Sequence, residues 1–323
     1  MDPYSTIWLA LLALGAALVN GAVGYGFSSI VTPVAILWYS NKILNPALVI
    51  VEVVVNVTLL LRERRKIRAT WGVAKPVVAT LLPGVILGTI GLTYLAINDV
   101  KVIVYATLFP LVILQLTGFY RPFKNQRRGG MAMGPAIGFL YALTTISGPP
   151  LALFLRNQGL SKNDFRCAIA QIRVAESSLT LTTYFAFSSL FGANLVSLPA
   201  LGLLPFLFIP VLIGIPLGTL LLHSVSPEFF RRFVMAIDAI LVSYGLSRVT
   251  VALNWVSNEV AYIAFGIAVG LIGVLTWIEL RRVSMRPEPE NGGPPPKPPG
   301  WDGPPVPDDR APLAAPAPGT ELS

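Results

Sequence analysis

The feature that most constrains this chain is the recurrence of apolar runs of near-bilayer length, from Ser5 to Leu280, with only short polar breaks between them. A helix needs about 20 apolar residues to cross the hydrocarbon core of a membrane. Read between polar breaks, the runs fall at 5–20, 27–39, 45–61, 72–95, 99–119, 131–155, 166–191, 196–222, 229–249 and 256–280. Only 12% of the residues are charged, half the roughly 25% of an ordinary soluble domain, too few to cover a water-facing surface. The pattern predicts an all-α polytopic membrane protein whose principal surroundings are the lipid bilayer. Met1-Asp2-Pro3-Tyr4 holds no Lys or Arg, so the basic start of a signal peptide is missing and the first segment is expected to be retained.

The net charge of +8 would suggest nucleic acid in a soluble chain. Here the bases gather in short loops beside apolar runs, which is the positive-inside bias of a membrane protein and excludes a nucleic-acid partner. The clusters are Arg62 to Arg68, Arg121 to Arg128, Arg156 to Arg166, Arg231 with Arg232, and Arg281 to Arg286. A single crossing by 131–155 would put the loop at Arg156 and the end at Arg281 outside. If that run dips in and returns, every cluster is cytoplasmic. The same treatment of 5–39, where Gly21-Ala22-Val23-Gly24-Tyr25-Gly26-Phe27 separates two short runs, puts the N-terminus outside and the C-terminus in the cytoplasm.

The two halves resemble each other. Gly21 and Pro33-Val34-Ala35 align with Gly138 and Pro150-Leu151-Ala152, and Gly84-Val85-Ile86-Leu87-Gly88-Thr89 aligns with Gly214-Ile215-Pro216-Leu217-Gly218-Thr219. Each half then holds a re-entrant or broken helical hairpin plus three spans. An odd number of crossings makes the repeats inverted, as in many secondary transporters. The expected division is 1–122 and 123–255 for the two repeats, 256–282 for one extra C-terminal span, and 283–323 for a proline-rich, disordered cytoplasmic tail. Pro295 to Pro299 in that tail read either as solvated spacer or as a ligand for a polyproline-binding partner.

Chemistry-bearing residues are sparse. Cys167 is the only cysteine and His223 the only histidine, so no intramolecular disulfide, metal cluster or cofactor is expected, and no catalytic motif is present. His223 reads as an interfacial polar residue or, less simply, a proton relay. Non-helical backbone at membrane depth survives only where protein or a wet cavity satisfies it, which makes the two breaks the candidate site. Gly24, Gly26, Ser28, Ser29, Thr32 and Pro33 in the first break are matched by Thr144, Thr145, Ser147, Gly148, Pro149 and Pro150 in the second, and the two tips are expected to approach each other near mid-membrane. Half-helix N-termini offer free N–H groups and positive potential, and hydroxyls add donors, so the pair suits a small anion. The bland alternative is that these small residues only permit close helix packing.

Ionisable residues inside the runs each need a reason, because insertion scales charge about 2.5–3.5 kcal/mol for one at the bilayer centre. Arg173 is the candidate anion contact, its planar fork matching two oxygens of an oxyanion, with Gln171 as a polar neighbour. Its alternative is an internal ion pair with Glu176, three residues on. Glu52 or Glu176 is a candidate for proton coupling or ion pairing, and Asp238 for an interhelical hydrogen bond.

The run Gly-Phe-Leu-Tyr-Ala-Leu-Thr-Thr-Ile-Ser-Gly-Pro-Pro-Leu-Ala-Leu-Phe-Leu at 138–155, its continuation Gly159 to Arg166, and the Gly21-x-x-Gly24-Tyr25-Gly26-Phe27 and Pro33 of the first half resemble the TauE/SafE family of sulfite-exporter-like transporters over roughly residues 5 to 280. Phe27-Ser28-Ser29 stands where that family often has glycines. The resemblance implies a transporter rather than an enzyme, moving sulfite, a sulfonate, thiosulfate or another small anion across a prokaryotic plasma membrane, commonly outward. Thiosulfate handling through paired cysteines is not implied, because the chain has a single cysteine. Two readings from other classes stand beside it: an intramembrane enzyme on a lipid or peptide, using Glu52, Glu176 or Asp238, and a membrane scaffold recruiting a partner through the tail.

Overall fold

A computed structural model describes residues 3–62, 64–116, 126–156, 158, 160, 162–221 and 227–284. Among these, regular structure is helical throughout. The order is α1 (Pro3–Val23), α2 (Phe27–Ala35), α3 (Asn41–Arg62), α4 (Ile67–Val78), α5 (Leu81–Tyr94), α6 (Ile97–Leu116), α7 (Gln126–Thr144), α8 (Gly148–Arg156), α9 (Lys162–Phe191), α10 (Leu198–Gly202), α11 (Leu204–Leu221), α12 (Pro227–Ala252) and α13 (Asn258–Ser284). Arg121, Lys124, His223, Arg286 and the tail from residue 285 lie outside the described residues. So do the side chains of Arg62, Arg65, Arg156, Lys162, Arg231, Arg232, Asp238, Arg281 and Arg282.

Among the described residues, four segments are long and apolar enough to cross a membrane by themselves: Tyr4–Ala22, Asn41–Leu61, Leu198–Leu220 and Asn258–Ile278. A fifth forms if α4 and α5, bent by 50° at their junction, are taken together. The burial pattern is that of a protein in lipid. Large apolar side chains such as Trp8, Leu87, Leu212, Ile263 and Trp277 face outward, while Asn20, Asn45, Glu52, Arg173 and Glu176 are buried. With no water in hydrocarbon, polar groups turn inward and apolar ones meet the acyl chains.

Two differences from the sequence reading concern length and continuity. α1 has 21 residues, about 31 Å at 1.5 Å per residue, as long as a bilayer core is thick, so the apolar run at 5–20 understated it; the chain nevertheless returns to where α1 begins, the Tyr39 hydroxyl donating to Ser5 Oγ at 3.1 Å. The run at 72–95, expected to be one span, is two helices. Pro83 in the first turn of α5 has no N–H to continue the ladder from α4, and the Thr80 hydroxyl donates back to the Pro76 carbonyl at 3.1 Å.

Small residues let the two halves pack crosswise. A Cβ added at Gly84 or Gly88 of α5 would run into the backbone of Pro135 or Phe139 of α7, and one at Gly138 of α7 into Leu81 of α5. Correspondingly, Gly214 and Gly218 of α11 lie against the Leu14 to Leu18 backbone of α1, and Gly21 of α1 lies against Ile215 of α11. Such small-residue faces bring helix backbones together where dispersion and close approach replace the hydrophobic effect. The two close-packed pairs, α1 with α11 and α5 with α7, flank a centre built from α2, α3, α8 and α9.

Candidate functional site

The chain breaks twice beside that centre, between α1 and α2 and between α7 and α8, and each following helix is nine residues long. Gly24 and Gly26 adopt φ of 90° and 111°, conformations that glycine takes without a Cβ clash. At the second break Thr145 holds φ 60°. For a β-branched residue this is an outlier that costs on the order of 1–3 kcal/mol and persists only where the surroundings fix it.

Those surroundings satisfy the end of α7 carbonyl by carbonyl. The last four C=O groups of a helix have no internal partner. Here the Thr145 N–H donates to Tyr141 O at 2.6 Å, the Tyr184 hydroxyl to Ala142 O at 2.5 Å, the Asn45 amide to Leu143 O at 2.7 Å and the Thr145 hydroxyl to Thr144 O at 2.6 Å. On the other break, the Tyr105 hydroxyl donates to Pro33 O at 2.5 Å. Irregular backbone is thus tolerated because α3, α6 and α9 each send a polar side chain to it.

The two breaks meet. Thr32 and Thr145 share a hydrogen bond between hydroxyls at 2.9 Å, and Gly148 lies against the Tyr25 ring, 3.2 Å from where its own Cβ would stand. Ser29 donates to Gly26 O at 3.1 Å, and Thr144 to Leu140 O at 2.6 Å. None of Ser28, Ser29, Thr32, Thr144, Thr145 and Ser147 is more than 4% exposed. The two helix starts differ in what they offer. α2 begins Phe27-Ser28-Ser29, three residues with N–H groups ahead of its first helical bond, from Ile30 N to Gly26 O. α8 begins Gly148-Pro149-Pro150, and its two prolines carry no N–H, so donors there reduce to the Gly148 and Ser147 amides.

A buried ion pair lies beside the second break. Arg173 Nη2 donates to Glu52 Oε1 at 2.6 Å, and the Tyr141 hydroxyl donates to Glu52 Oε2 at 2.6 Å. The Arg173 guanidinium also stands 5.9 Å from the Tyr141 ring centroid, within cation–π range. Its counter-ion is therefore Glu52 of α3 and not Glu176 of its own helix. Glu176 instead accepts a hydrogen bond from the Ser147 hydroxyl at 2.7 Å, and its other oxygen reaches no partner among the described residues. Arg173 has five N–H donors. Among the described residues its one hydrogen bond is that from Nη2, while Nη1 lies 3.4 Å from the Cβ position of Gly148. Nη1 of the fork thus sits at the start of α8.

Of the residues singled out in the sequence, Thr32, Thr145, Ser147, Gly148, Arg173, Glu52 and Glu176 form one connected group. Gln171 stands apart on the opposite side of α9, donating to the Thr70 hydroxyl at 2.5 Å and to Ile67 O at 3.2 Å. Tyr141, Tyr184, Tyr105 and Asn45 were not singled out. Their signal was a hydrogen-bonding group inside an apolar run, in a fold whose breaks require partners. Among the described residues no three His, Cys, Asp or Glu side chains converge as metal ligands would.

The model of one protein family, Sulfite exporter TauE/SafE, matches residues 9–245. No curated protein and no solved structure matches the chain. The matched region takes in both breaks, the Ser147-Gly148-Pro149-Pro150 turn and the Glu52–Arg173 pair, and it ends within α12. The chain belongs to the TauE/SafE family and is a multi-pass α-helical membrane transport protein.

Proposed function

We propose that this protein is a secondary transporter that exports a small, sulfur-containing anion such as sulfite or a sulfonate across the plasma membrane, with its N-terminus outside and its C-terminus in the cytoplasm. The observation that carries this reading is the buried Arg173, 2% exposed, with Nη2 on Glu52 and Nη1 at Gly148, where the second break meets Tyr25 of the first. A planar fork binds two oxygens of an oxyanion at once, which a point charge does not. Hydroxyls of Thr32, Thr145 and Ser147 and the amides that open α2 and α8 supply further donors without fixed positive charge, so the anion is held and released. Glu52 balances the guanidinium while the anion is absent, and an arriving anion competes with Glu52 for the same donors.

The crosswise packing of α1 on α11 and α5 on α7 supports two inverted repeats, 1–122 and 123–255, rocking about this site in alternating access. The test is a thermal-shift screen of purified protein against sulfite, sulfate, thiosulfate, taurine, sulfoacetate and simple carboxylates, with Arg173→Lys beside the wild type. A ligand at 100 times its Kd stabilises by about 2.7 kcal/mol. One sulfur oxyanion should raise the melting temperature of the wild type, and Arg173→Lys, which keeps the charge but loses the fork, should lose most of that shift. A stable wild type that responds to none of these anions overturns the proposal.

A further inference from the structure

Buried polar atoms without partners are not scattered over this molecule. Eight such side-chain atoms occur among the described residues, and six of them belong to Asn41, Asn45, Asn56, Glu176 and Thr180, which lie on α3 and α9. Each of these five residues is at most 3% exposed. At about 100° per residue, Asn41, Asn45, Glu52 and Asn56 share an arc of roughly 60° on α3, and Arg173, Glu176 and Thr180 share a similar arc on α9. The two arcs face each other through the Glu52–Arg173 pair.

The helices run antiparallel. Lys66, just past the end of α3, pairs with Asp164 in the first turn of α9 at 3.2 Å. Asn45 near the start of α3 and Tyr184 late in α9 both reach the last turn of α7, at Leu143 O and Ala142 O. The seam therefore has two ends. Asn41, Asn45 and Thr180 lie to one side of the ion pair, Asn45 and Thr180 each about 10 Å from it along the helix axis, and Asn56 lies about 6 Å to the other side. Interhelical adhesion accounts for only part of this row: the Asn45 amide N–H holds α3 to α7 and Glu176 accepts from Ser147, but Asn45 Oδ1, Glu176 Oε1 and the orphaned atoms of Asn41, Asn56 and Thr180 bond to nothing among the described residues, whereas polar groups kept for adhesion bond across the interface. A polar group buried without a partner costs its full desolvation, so a row of them on facing surfaces calls for water or a ligand to satisfy it.

We propose that the facing polar stripes of α3 and α9 are the route by which the anion and its water reach and leave Arg173. Asn41, Asn45 and Thr180 line the passage to one face of the membrane, Asn56 lines the passage to the other, and the Glu52–Arg173–Tyr141 cluster is the barrier between them. This rests on the transporter reading above. The full chain carrying Cys167→Ala gives a cysteine-free background, into which Asn45→Cys, Thr180→Cys, Asn56→Cys and, as a lipid-facing control, Val54→Cys are introduced singly. Val54 is 46% exposed on the opposite side of α3. Sealed vesicles of each orientation are treated with a membrane-impermeant methanethiosulfonate.

The expected result is that Asn45→Cys and Thr180→Cys react from one face only and Asn56→Cys from the other only, while Val54→Cys reacts from neither. Thr180→Cys repeats the first arm should Asn45→Cys fail to fold. Cysteines at 45, 180 and 56 that react no faster than the one at 54 overturn the route, and they do so even if the thermal screen finds an anion, in which case the transporter reading survives alone. Sided labelling that no anion slows upholds the route and removes the sulfur-anion reading instead.

Discussion

Arg173 and Glu52 are one unit electrostatically, and each is tolerable in the interior only because of the other. Removing one partner of a buried pair leaves an uncompensated charge, which typically costs 3–5 kcal/mol, whereas replacing both by apolar groups of similar volume is often neutral. Glu52→Ala and Arg173→Ala should therefore each lower the thermal stability of the purified protein sharply. Glu52→Leu combined with Arg173→Met should recover most of the loss while abolishing any anion response; unfolding curves of the three variants check this. The singles being no less stable than the double would mean that the pair is solvated rather than buried. A second residue-level expectation concerns Thr145, whose φ of 60° suits glycine. Thr145→Gly relieves the backbone strain but deletes the hydroxyl bonded to Thr32. It should leave the melting temperature within a few degrees of the wild type and weaken anion binding, whereas Thr145→Val keeps the strain, loses the same hydroxyl and should be worse in both assays.

At the scale of elements, the sequence was most readable where a break in apolar character coincided with Gly, Pro and hydroxyl residues. The starts of α2 and α8 follow from Gly24-Tyr25-Gly26 and Ser147-Gly148-Pro149-Pro150, because those residues end one helix and open another on local grounds. The bend between α4 and α5 was not read from the 72–95 run, although Pro76 and Pro83 were in view. Proline in a long apolar stretch either kinks or is absorbed, and the neighbouring helix decides which. Gly130 and Gly134 of α7 pack against Pro76, Val77 and Thr80 at this bend. The polar seam was missed for a similar reason. Asn41, Asn45 and Asn56 are ordinary in an α3 considered alone, and only the approach of α9 makes their alignment informative. The ion pair was half legible: spacing offered Glu176 as the nearest acid, but the antiparallel helix brought Glu52 closer. The close-packed glycines give a direct test at this scale. A side chain at Gly218 meets the Leu18 backbone, whereas one at Gly266 of α13 meets nothing within 4 Å. Overpacking costs about 1–3 kcal/mol, so Gly218→Val should lower the melting temperature by several degrees and Gly266→Val should not; equal effects would show that α1 and α11 are not held at that distance.

For the molecule as a whole, the question is how much of the chain the transport unit needs. α13 follows the end of the family match at residue 245, and only 11% of its apolar window is buried, against 61% for α3. It packs mainly on α12, where the Ser247 hydroxyl donates to Ala261 O at 3.0 Å and the Tyr244 and Phe265 rings meet edge to face at 5.7 Å, and more lightly on α6, with Ile272 reaching the buried core. None of its described side chains takes part in the bonds that close the two breaks or in the Glu52–Arg173 cluster. Hydrophobic packing between helices adds little in lipid, where the acyl chains solvate an apolar helix as well as its neighbours do. A chain ending at Ser257 should therefore insert and fold, with a melting temperature close to that of the full protein and the same anion dependence of that temperature. Loss of the anion response in a truncated chain that still purifies as a folded species would mean that α13 braces α12 and α6 during the conformational cycle, so that the transport unit extends past the region the family model covers.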